Sequence, residues 1–329
     1  MPQPGERNLI TDVPGITVGH ATDEAAATGV TVLRCERAFV SAADVRGGAP
    51  GARETDVLSP ENLVGRADAF VLSGGSVFGL AAADGAASAL SQAGVGLTLS
   101  GKGPAIPIVP AAVLHDLANE GDKDWGATPP YRALGAAAVS AAARDFALGA
   151  VGAGRGAMAG RVKGGVGSAS VALDGGIVVG ALVAANPVGS VYMGDGETFY
   201  AWPWEIGAEF GGKPPPVLRD GADPIPPLSR LGAGVQPGAN TTLAAVAVSA
   251  ALTQVEVKRV AVMAQDGIAR AVRPAHTPLD GDIVFATASA VHPLTEDGFA
   301  RAAAVAAIGA AAGDCLARAI ARAVHEAGK

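Results

Sequence analysis

The sequence predicts a layered α/β fold, and two stretches carry that prediction. Residues 69–72 form a short apolar strand that passes through Ser73-Gly74-Gly75-Ser76 into an Ala-rich helix at residues 77–93, which is half of an α/β unit. Residues 242–249 form another strand, and Thr253-Gln254-Val255-Glu256 after it matches a capping box that opens a helix. Strands and helices in this mixed order favour α/β layers over an all-β barrel or a helix bundle.

The other elements follow from apolar runs and turn residues along the chain. In the first half they are strands at residues 29–33 and 38–42, a Gly-rich loop at 44–51 and a helix at 133–146. In the second half they are strands at 170–173 and 177–184 around an Asp174-Gly175 turn, an end of the capped helix near Gly267, a strand at 283–286 and a mainly helical stretch at 298–324. Residues 203–237 carry many prolines and little periodicity, so we expect an exposed connector there.

Composition limits the classes of protein to which the chain can belong. Of its 329 residues 49% are hydrophobic but only 4% are aromatic, and 46 are glycines, so the core must be built from small aliphatic side chains and closely packed backbones. A mean hydropathy of +0.32 favours buried contacts between subunits. The 24 basic and 31 acidic residues give a net charge of −7 without a basic run, so we expect no nucleic-acid partner.

The N-terminus, the apolar runs and the cysteines favour a cytoplasmic protein. Residues 1–7 contain no apolar segment typical of a signal peptide. The most membrane-like run, residues 302–313, is shorter than the roughly 20 apolar residues that a spanning helix needs, so we expect no membrane partner. Cys35 and Cys315 belong to no CxxC motif and cannot build a disulfide framework, which indicates a reducing compartment.

Thr241 is the candidate for the central chemistry. It stands between Gly238-Ala239-Asn240, which can bend sharply, and a strand that can hold its hydroxyl rigidly. That geometry would let the hydroxyl attack the carbonyl carbon of Asn240, so that the peptide rearranges to an ester and is hydrolysed. The freed α-amine is partly neutral near neutral pH and could serve as the base for its own hydroxyl. The alternative is that Thr241 simply starts a β-strand, where threonine is common.

Lys163 and Asn186 are candidates for the same site, and each has an ordinary alternative. Lys163, before Gly164-Gly165, could keep an amine neutral and stabilise developing charge, or it could be an exposed turn lysine. Asn186, at the end of a buried strand and before Pro187, could point its amide at an oxyanion, or it could form a turn.

Three polar residues follow later in the chain, just before a predicted strand. Asp280 and Asp282 on either side of Gly281 could hold a Thr241 ammonium, or they could build a tight turn. His276 is more readily explained as a structural or pocket-lining residue, because nothing nearby in the sequence makes it a base.

Several common catalytic motifs are missing from the sequence. There is no GxSxG elbow for a Ser-His-Asp triad, and no HExxH or Cys/His cluster argues for a metal, so we expect no cofactor. Residues 152–157 match a loose dinucleotide fingerprint, but they follow a predicted helix and not a strand, which argues against that use. Residues 73–76 lack the phosphate-loop pattern, and we expect them to pack closely or to line a substrate pocket.

Several separate motifs in the same order make the chain resemble the P1 peptidase family (S58, DmpA-like), a group of N-terminal-nucleophile hydrolases. Within this family the chain looks most like the 6-aminohexanoate-oligomer (nylon oligomer) endo-hydrolases. The motifs span nearly the full length and are residues 13–20, 44–48, 73–80, 163–165, 186–189, 238–242 and 276–282.

The resemblance implies an N-terminal-nucleophile-like αββα sandwich, with residues 1–329 as a single self-processing domain. Cleavage between Asn240 and Thr241 would give an α fragment, residues 1–240, and a β fragment, residues 241–329. A homo-oligomer of cleaved heterodimers, a tetramer, is implied as well. The implied roles are Thr241 as nucleophile, Lys163 or the nearby Arg161 as assisting cation, Asn186 in the oxyanion hole, and Asp280 and Asp282 as partners of the Thr241 amine.

The reaction that the resemblance implies is hydrolysis of a small linear amide or peptide through an acyl ester on Thr241. Two departures from the aminopeptidase branch favour the endo-hydrolase branch over a β-aminopeptidase of the DmpA type. The chain has Thr in place of the Ser nucleophile, and Asp280-Gly281-Asp282 in place of a Ser-Gly-Glu or similar turn. The alternatives are an acyltransferase of the ornithine acetyltransferase type and a non-catalytic binding protein on the same scaffold.

Overall fold

Eleven strands and four α-helices occur in the residues that the computed structural model describes, which are 2–99, 101–215, 217, 223–231 and 240–329. The strands are β1 (Ile16–Asp23), β2 (Thr28–Val45), β3 (Gly51–Arg53), β4 (Arg66–Ser73), β5 (Ala111–Val113), β6 (Met158–Ala159), β7 (Val162–Lys163), β8 (Gly165–Ala172), β9 (Val178–Asn186), β10 (Thr241–Ala250) and β11 (Ile283–His292). The helices are α1 (Ala81–Gln92), α2 (Tyr131–Ser140), α3 (Gln254–Ala271) and α4 (Gly298–Ala327).

The long strand β2 connects two β layers. Its first half pairs with β1 and β4, and its second half pairs with β11. From β3 the strand order is β3-β5-β4-β2-β11-β10-β9-β8, with β1 added beside β2. The neighbours β10 and β11 are parallel, with α3 between them in the chain, whereas β9 runs antiparallel to β10.

Side-chain alternation along the strands divides the core into three clusters. In β10, Leu243 and Ala245 face a central cluster between the two β layers, whereas Ala244 and Val246 face α3 and α4. On the other side of the molecule, Val30 of β2 and further residues of β4 pack against α1 and α2. The layers therefore follow the order helix, sheet, sheet, helix, and the predicted αββα sandwich is confirmed.

Two element predictions were wrong at their boundaries. Residues 29–33 and 38–42 belong to one 18-residue strand and not to a pair of strands. Glu36 and Arg37 are polar and exposed, so in the sequence they look like a turn between two strands. In the structure the strand continues through them, and its pairing with β4 shifts register between Arg34 and Phe39. The helix predicted at 133–146 begins two residues earlier and ends at Ser140.

The capped helix also differs from its predicted length. The capping box is confirmed, since Thr253 accepts the N–H of Glu256 and Glu256 accepts the N–H of Thr253 at 2.7 Å. Gly267, however, does not end α3, which continues to Ala271. A Cβ at Gly267 would collide with the carbonyl oxygen of Gly313 on α4. The glycine therefore permits two helices to approach closely and is not a stop signal.

The predicted connector is only partly covered, because 216, 218–222 and 232–237 lie outside the described residues. In the part that is described, residues 203–215 are mostly exposed, as predicted, but Phe210 is buried against the core. Ser229 is buried as well, and Arg161 donates its backbone N–H to Leu228. These contacts fix parts of the connector to the body of the protein.

Helix α4 is long and apolar enough to cross a membrane when judged by length and composition. Of its most apolar 18-residue window, 67% is buried inside the protein, where it packs on β8, β9 and α3. The same length and hydropathy are found in core helices of this kind, so the feature is weak evidence for a membrane span.

The Glu256–Arg301 pair should make the stability of α3 depend on pH. The hydrogen bonds from Arg301 lower the pKa of Glu256 to about 2. Because the folded-state pKa is lowered, this stabilisation is fully present above about pH 4.5 and is lost as the pH falls towards about 2.

We expect Glu256→Gln to lower the free energy of unfolding by roughly 1 to 3 kcal/mol at pH 7, and by less at pH 3. Urea unfolding at both pH values measures the difference. Glu296→Gln is the matched control, since Glu296 also lies near Arg301, at 3.7 Å, but is 94% exposed. A deficit in Glu256→Gln that stays constant with pH would contradict the argument.

Candidate active site

The predicted site residues meet at one edge of the sheet. The parallel pairing of Leu243 with Ile283 brings the starts of β10 and β11 together, so Thr241 lies beside the 280–282 turn. The antiparallel pairing of Thr241 with Asn186 brings the end of β9 to the same edge. Strand β8 begins there as well. Residues far apart in the sequence are therefore neighbours because of strand direction.

The carbonyl group of Asn240 is held from two sides. Thr241 is only 2% exposed, and its hydroxyl Oγ1 donates to the carbonyl oxygen of Asn240. The backbone N–H of Gly281 donates to the same oxygen at 3.0 Å. The N–H polarises the carbonyl, and the hydroxyl lies next to it, as an attack on this peptide bond requires. Gly238 and Ala239, which were predicted to bend the chain here, lie outside the described residues.

The two aspartates accept backbone N–H groups from the segment after Thr241 and from the segment after β9. Asp282 accepts the N–H of Thr242 at 2.7 Å, and Asp280 accepts the N–H of Val188 at 3.0 Å. Both side chains are 1% exposed. Asp280 also accepts the N–H of Thr277 at 3.0 Å, across the 277–280 turn, and Asp282 accepts the N–H of His276 at 3.1 Å, so both carboxylates fix the segment beside Thr241. Their predicted contact with a free Thr241 amine stays a prediction, because Thr241 is joined to Asn240 here.

Burial and mutual repulsion shape the charge of this turn. Burial, together with the neighbouring charge of Asp282, raises the pKa of Asp280. His276 lies 2.9 Å from Oδ2 of Asp282 through Nδ1, so the residue predicted to be structural or pocket-lining contacts a candidate catalytic group. Within the ranges that the structure describes, no three His, Cys, Asp or Glu side chains come together as a metal site would need.

Asn186 is fully buried opposite Thr241. Its Oδ1 accepts the N–H of Met158 at 2.8 Å, and its Nδ2 donates to the carbonyl oxygen of His115 at 3.3 Å. The amide is therefore rigid and adjacent to the nucleophile strand. Its role in an oxyanion hole stays a prediction.

Lys163 comes near the site through its backbone and not through its ammonium. Its strand partner is Met158, which bonds to Asn186. The side chain is 54% exposed, and its Nζ lies 3.9 Å from Glu120 in a small cavity separate from that of Thr241. The alternative cation, Arg161, donates to the carbonyl oxygen of Ser229. The assisting role of either cation therefore stays a prediction.

Arg230 is a half-buried cation beside the site that the sequence analysis missed. Its Nη2 donates to three carbonyl oxygens, those of Met158, Asn186 and Pro187, at 2.9, 3.3 and 3.1 Å. Burial lowers its pKa to about 10, although the charge of Asp280 acts in the opposite direction. It lies in the proline-rich connector, where no local pattern separates it from a surface arginine.

Thr241 opens onto a cavity of about 340 Å³. Ser76 and Val77 are among its lining residues, so the 73–76 turn ends at the wall of this cavity, and its role in a substrate pocket stays a prediction. The turn is held by the buried Asp116, which accepts the N–H of Gly75 at 2.7 Å. The rest of the lining consists of Ala49, Pro50, Gly51, Ala52, Leu80, Val113 and His115.

The family model of peptidase family S58 matches residues 8–329. The chain belongs to peptidase family S58. The predicted resemblance is thus confirmed, and this S58 member is a hydrolase acting on amide bonds.

Curated relatives of this S58 member carry two kinds of name. An uncharacterized aminopeptidase of Mycobacterium tuberculosis is 44% identical over 328 residues, which covers 95% of this chain and 92% of the relative. A 6-aminohexanoate-oligomer endohydrolase of Kocuria sp. is 31% identical over 295 residues, which covers 86% of this chain and 75% of the relative.

Solved structures show the same fold at low sequence identity. A Burkholderia sp. beta-aminopeptidase has a TM-score of 0.70 at 24% identity, covering 98% of this chain and 88% of its own. The L-aminopeptidase D-Ala-esterase/amidase of Ochrobactrum anthropi, described as a variant of the Ntn hydrolase fold, has a TM-score of 0.69 at 21% identity, covering 98% and 87%.

Gly281→Ala should abolish or strongly reduce amide hydrolysis. A Cβ at this position would lie 2.7 Å from Oγ1 of Thr241 and 2.8 Å from the carbonyl oxygen of Ala49, so the hydroxyl must move. We expect the rate to fall by at least about tenfold, the scale on which small misplacements act. Gly194→Ala is the control, because nothing lies within 4 Å of its Cβ position. Full activity in a folded Gly281→Ala protein would refute the placement of the hydroxyl.

Proposed function

We propose that the chain is a self-cleaving N-terminal threonine amidohydrolase, a single domain of residues 1–329 that is cut between Asn240 and Thr241 into fragments 1–240 and 241–329. The observation that carries the proposal is the Asn240 carbonyl, which lies between the Thr241 hydroxyl and the Gly281 N–H. A hydroxyl beside this carbonyl and an N–H donor to its oxygen support the proposal that a nucleophile and an oxyanion donor act on one peptide bond.

In the cleavage step, Oγ1 of Thr241 forms a bond to the carbonyl carbon of Asn240. The carbonyl oxygen gains negative charge, which the Gly281 N–H stabilises. The bond from this carbon to the nitrogen of Thr241 then breaks, and the hydroxyl proton ends on that nitrogen. Water hydrolyses the resulting ester, which leaves a carboxylate on Asn240 and a free α-amine on Thr241.

The Asn240 side chain gives independent support to the cut. It is fully buried, and among the described residues neither Oδ1 nor Nδ2 has a hydrogen-bond partner. A buried polar group without a partner costs about 1–3 kcal/mol. Departure of the cut end would relieve a cost of this kind, which supports the proposed cut.

After the cut, the Thr241 amine serves as base for its own hydroxyl, which attacks the carbonyl carbon of a substrate amide. The Gly281 N–H, no longer occupied by Asn240, binds the substrate oxyanion together with the Asn186 amide. Asp280 and Asp282 hold the Thr241 amine from the turn beside it, and Lys163 or Arg161 supplies positive charge. Water then releases the acyl group from Thr241.

The proposed substrates are small linear amides with short aliphatic spacers, such as 6-aminohexanoate oligomers. Part of the cavity at Thr241 is lined by the apolar residues Pro50, Val77, Leu80 and Val113, which suit methylene chains. The endohydrolase name of a relative at 31% identity supports the same substrate. The second candidate is a β-aminopeptidase of the DmpA type, which the aminopeptidase names at 44% identity favour.

We also propose a cytoplasmic homo-oligomer, a tetramer of cleaved heterodimers. Cys35 and Cys315 are free thiols, as a reducing compartment would leave them. Large apolar side chains such as Leu63 and Phe299 are almost fully exposed and are available for contacts between subunits.

Thr241→Ala should leave one uncut, inactive chain, because both the nucleophile and the future base are affected. Intact-mass spectrometry of the purified protein measures the cut and its position. Thr242→Val is the matched control, since the buried hydroxyl of Thr242 has no partner in the described part of the chain and should not be needed. Cleavage after Asn240 in Thr241→Ala would refute the proposal.

The first products from a 6-aminohexanoate tetramer should distinguish the candidate activities. An endo-hydrolase cuts the middle amide and releases dimers, whereas an aminopeptidase releases monomer and trimer. We expect dimers within the first few per cent of conversion, measured by liquid chromatography and mass spectrometry. Ornithine added as acceptor should remain unacylated, and acyl-ornithine as the main product would indicate the acyltransferase.

A further inference from the structure

His276 is connected through Asp282 to the strand that begins with the proposed nucleophile. Its backbone N–H, at 3.1 Å, and its ring Nδ1, at 2.9 Å, both contact Oδ2 of Asp282. The other oxygen of the same carboxylate, Oδ1, accepts the N–H of Thr242 at 2.7 Å. Asp282 therefore connects His276 to the residue that follows Thr241.

The hydrogen bonds around this pair define its charges. Two of the three donors to Asp282 are backbone N–H groups, which cannot accept a proton, so the carboxylate suits the site. Burial lowers the pKa of His276, but the hydrogen bond and charge of Asp282, together with the backbone carbonyl of Gln265 on α3, outweigh burial and raise it.

The backbone of His276 is strained. Its φ of +54° lies in the left-handed region, which residues with a Cβ rarely adopt. Its N–H and its ring are both tied to one oxygen of Asp282, and these bonds hold the conformation. Strain of this kind persists where the surroundings fix it, and it is concentrated at functional sites.

We propose that His276 is a positioning residue of the active site, which orients the Asp282 carboxylate and through it the peptide that follows Thr241. Gly281 in the same turn holds the Asn240 carbonyl, so a loosened Asp282 would shift the hydroxyl relative to the carbonyl that it attacks. Such a shift slows the reaction and leaves substrate binding largely intact. The inference rests on the proposed role of Thr241.

Three substitutions at this position test the role. His276→Ala removes the ring donor, His276→Asn keeps an N–H close to the place of Nδ1, and His276→Gln moves that N–H away by one methylene. We expect uncut chain to accumulate in His276→Ala and His276→Gln. In the cleaved fraction of these two variants, kcat should fall at least about tenfold relative to wild type, and KM should stay within about twofold of the wild-type value. His276→Asn should recover most of both rates.

Intact-mass spectrometry and steady-state kinetics give the two readouts. His292→Asn is the matched control, because its Nδ1 contacts Ser249 at 3.0 Å at the opposite end of β10 and β11, and both rates should be unchanged. Wild-type kcat in His276→Ala, or a defect confined to KM, overturns the positioning role. If His276→Ala does not fold, equal kcat in His276→Asn and His276→Gln overturns it. Thr241→Ala, measured in parallel, tests the proposed function separately. Cleavage after Asn240 in that variant would refute the proposed function, independently of the results at His276.

Discussion

The hold of the 280–282 turn on the backbone around Thr241 is the constraint on which the rest of the site depends. Gly281 bonds to the carbonyl before Thr241, and Asp282 bonds to the N–H after it. A nucleophilic hydroxyl must be held in one orientation to react efficiently, because a hydroxyl on a free chain end would sample many orientations. The parallel pairing of β10 and β11 provides it, since α3 returns the chain to the same sheet edge from which β10 began.

The many small residues of the chain also help to fix the site. A layered core of Ala, Val and Leu lets strands and helices approach closely, and the contacts at Gly267 and Gly281 are backbone against backbone or backbone against hydroxyl. Aliphatic packing keeps water away from the sheet edge as well. Thr241, Asp280 and Asp282 are each at most 2% exposed, so the hydrogen bonds that they make to the surrounding backbone act in a medium of low polarity, where they are strong.

The charged side chains at this edge of the sheet each have hydrogen-bond partners. Asp280 and Asp282 accept hydrogen bonds from N–H and O–H donors, His276 bonds to Asp282, and Arg230 supplies positive charge from a separate segment. Arg230 also anchors the connector to the end of β9 through Asn186 and Pro187. The proposed cut lies ten residues beyond this anchor, so fragment 1–240 would stay attached to the site through contacts that the cut does not touch.

The sequence by itself determined the layer type, the capping box, most strands and the family, because apolar period, turn residues and ordered motifs are local signals. It also named Thr241, Asn186, Asp280 and Asp282 as candidates for one site, and in the structure these residues lie at one edge of the sheet. Only the tertiary structure decided that β2 is a single strand, that Gly267 serves helix contact, and that Gly281, His276 and Arg230 belong to the site. These features depend on contacts with residues that are distant in the sequence. The local sequence around a glycine, a lone histidine or an arginine in a proline-rich stretch does not indicate which distant residue it will contact.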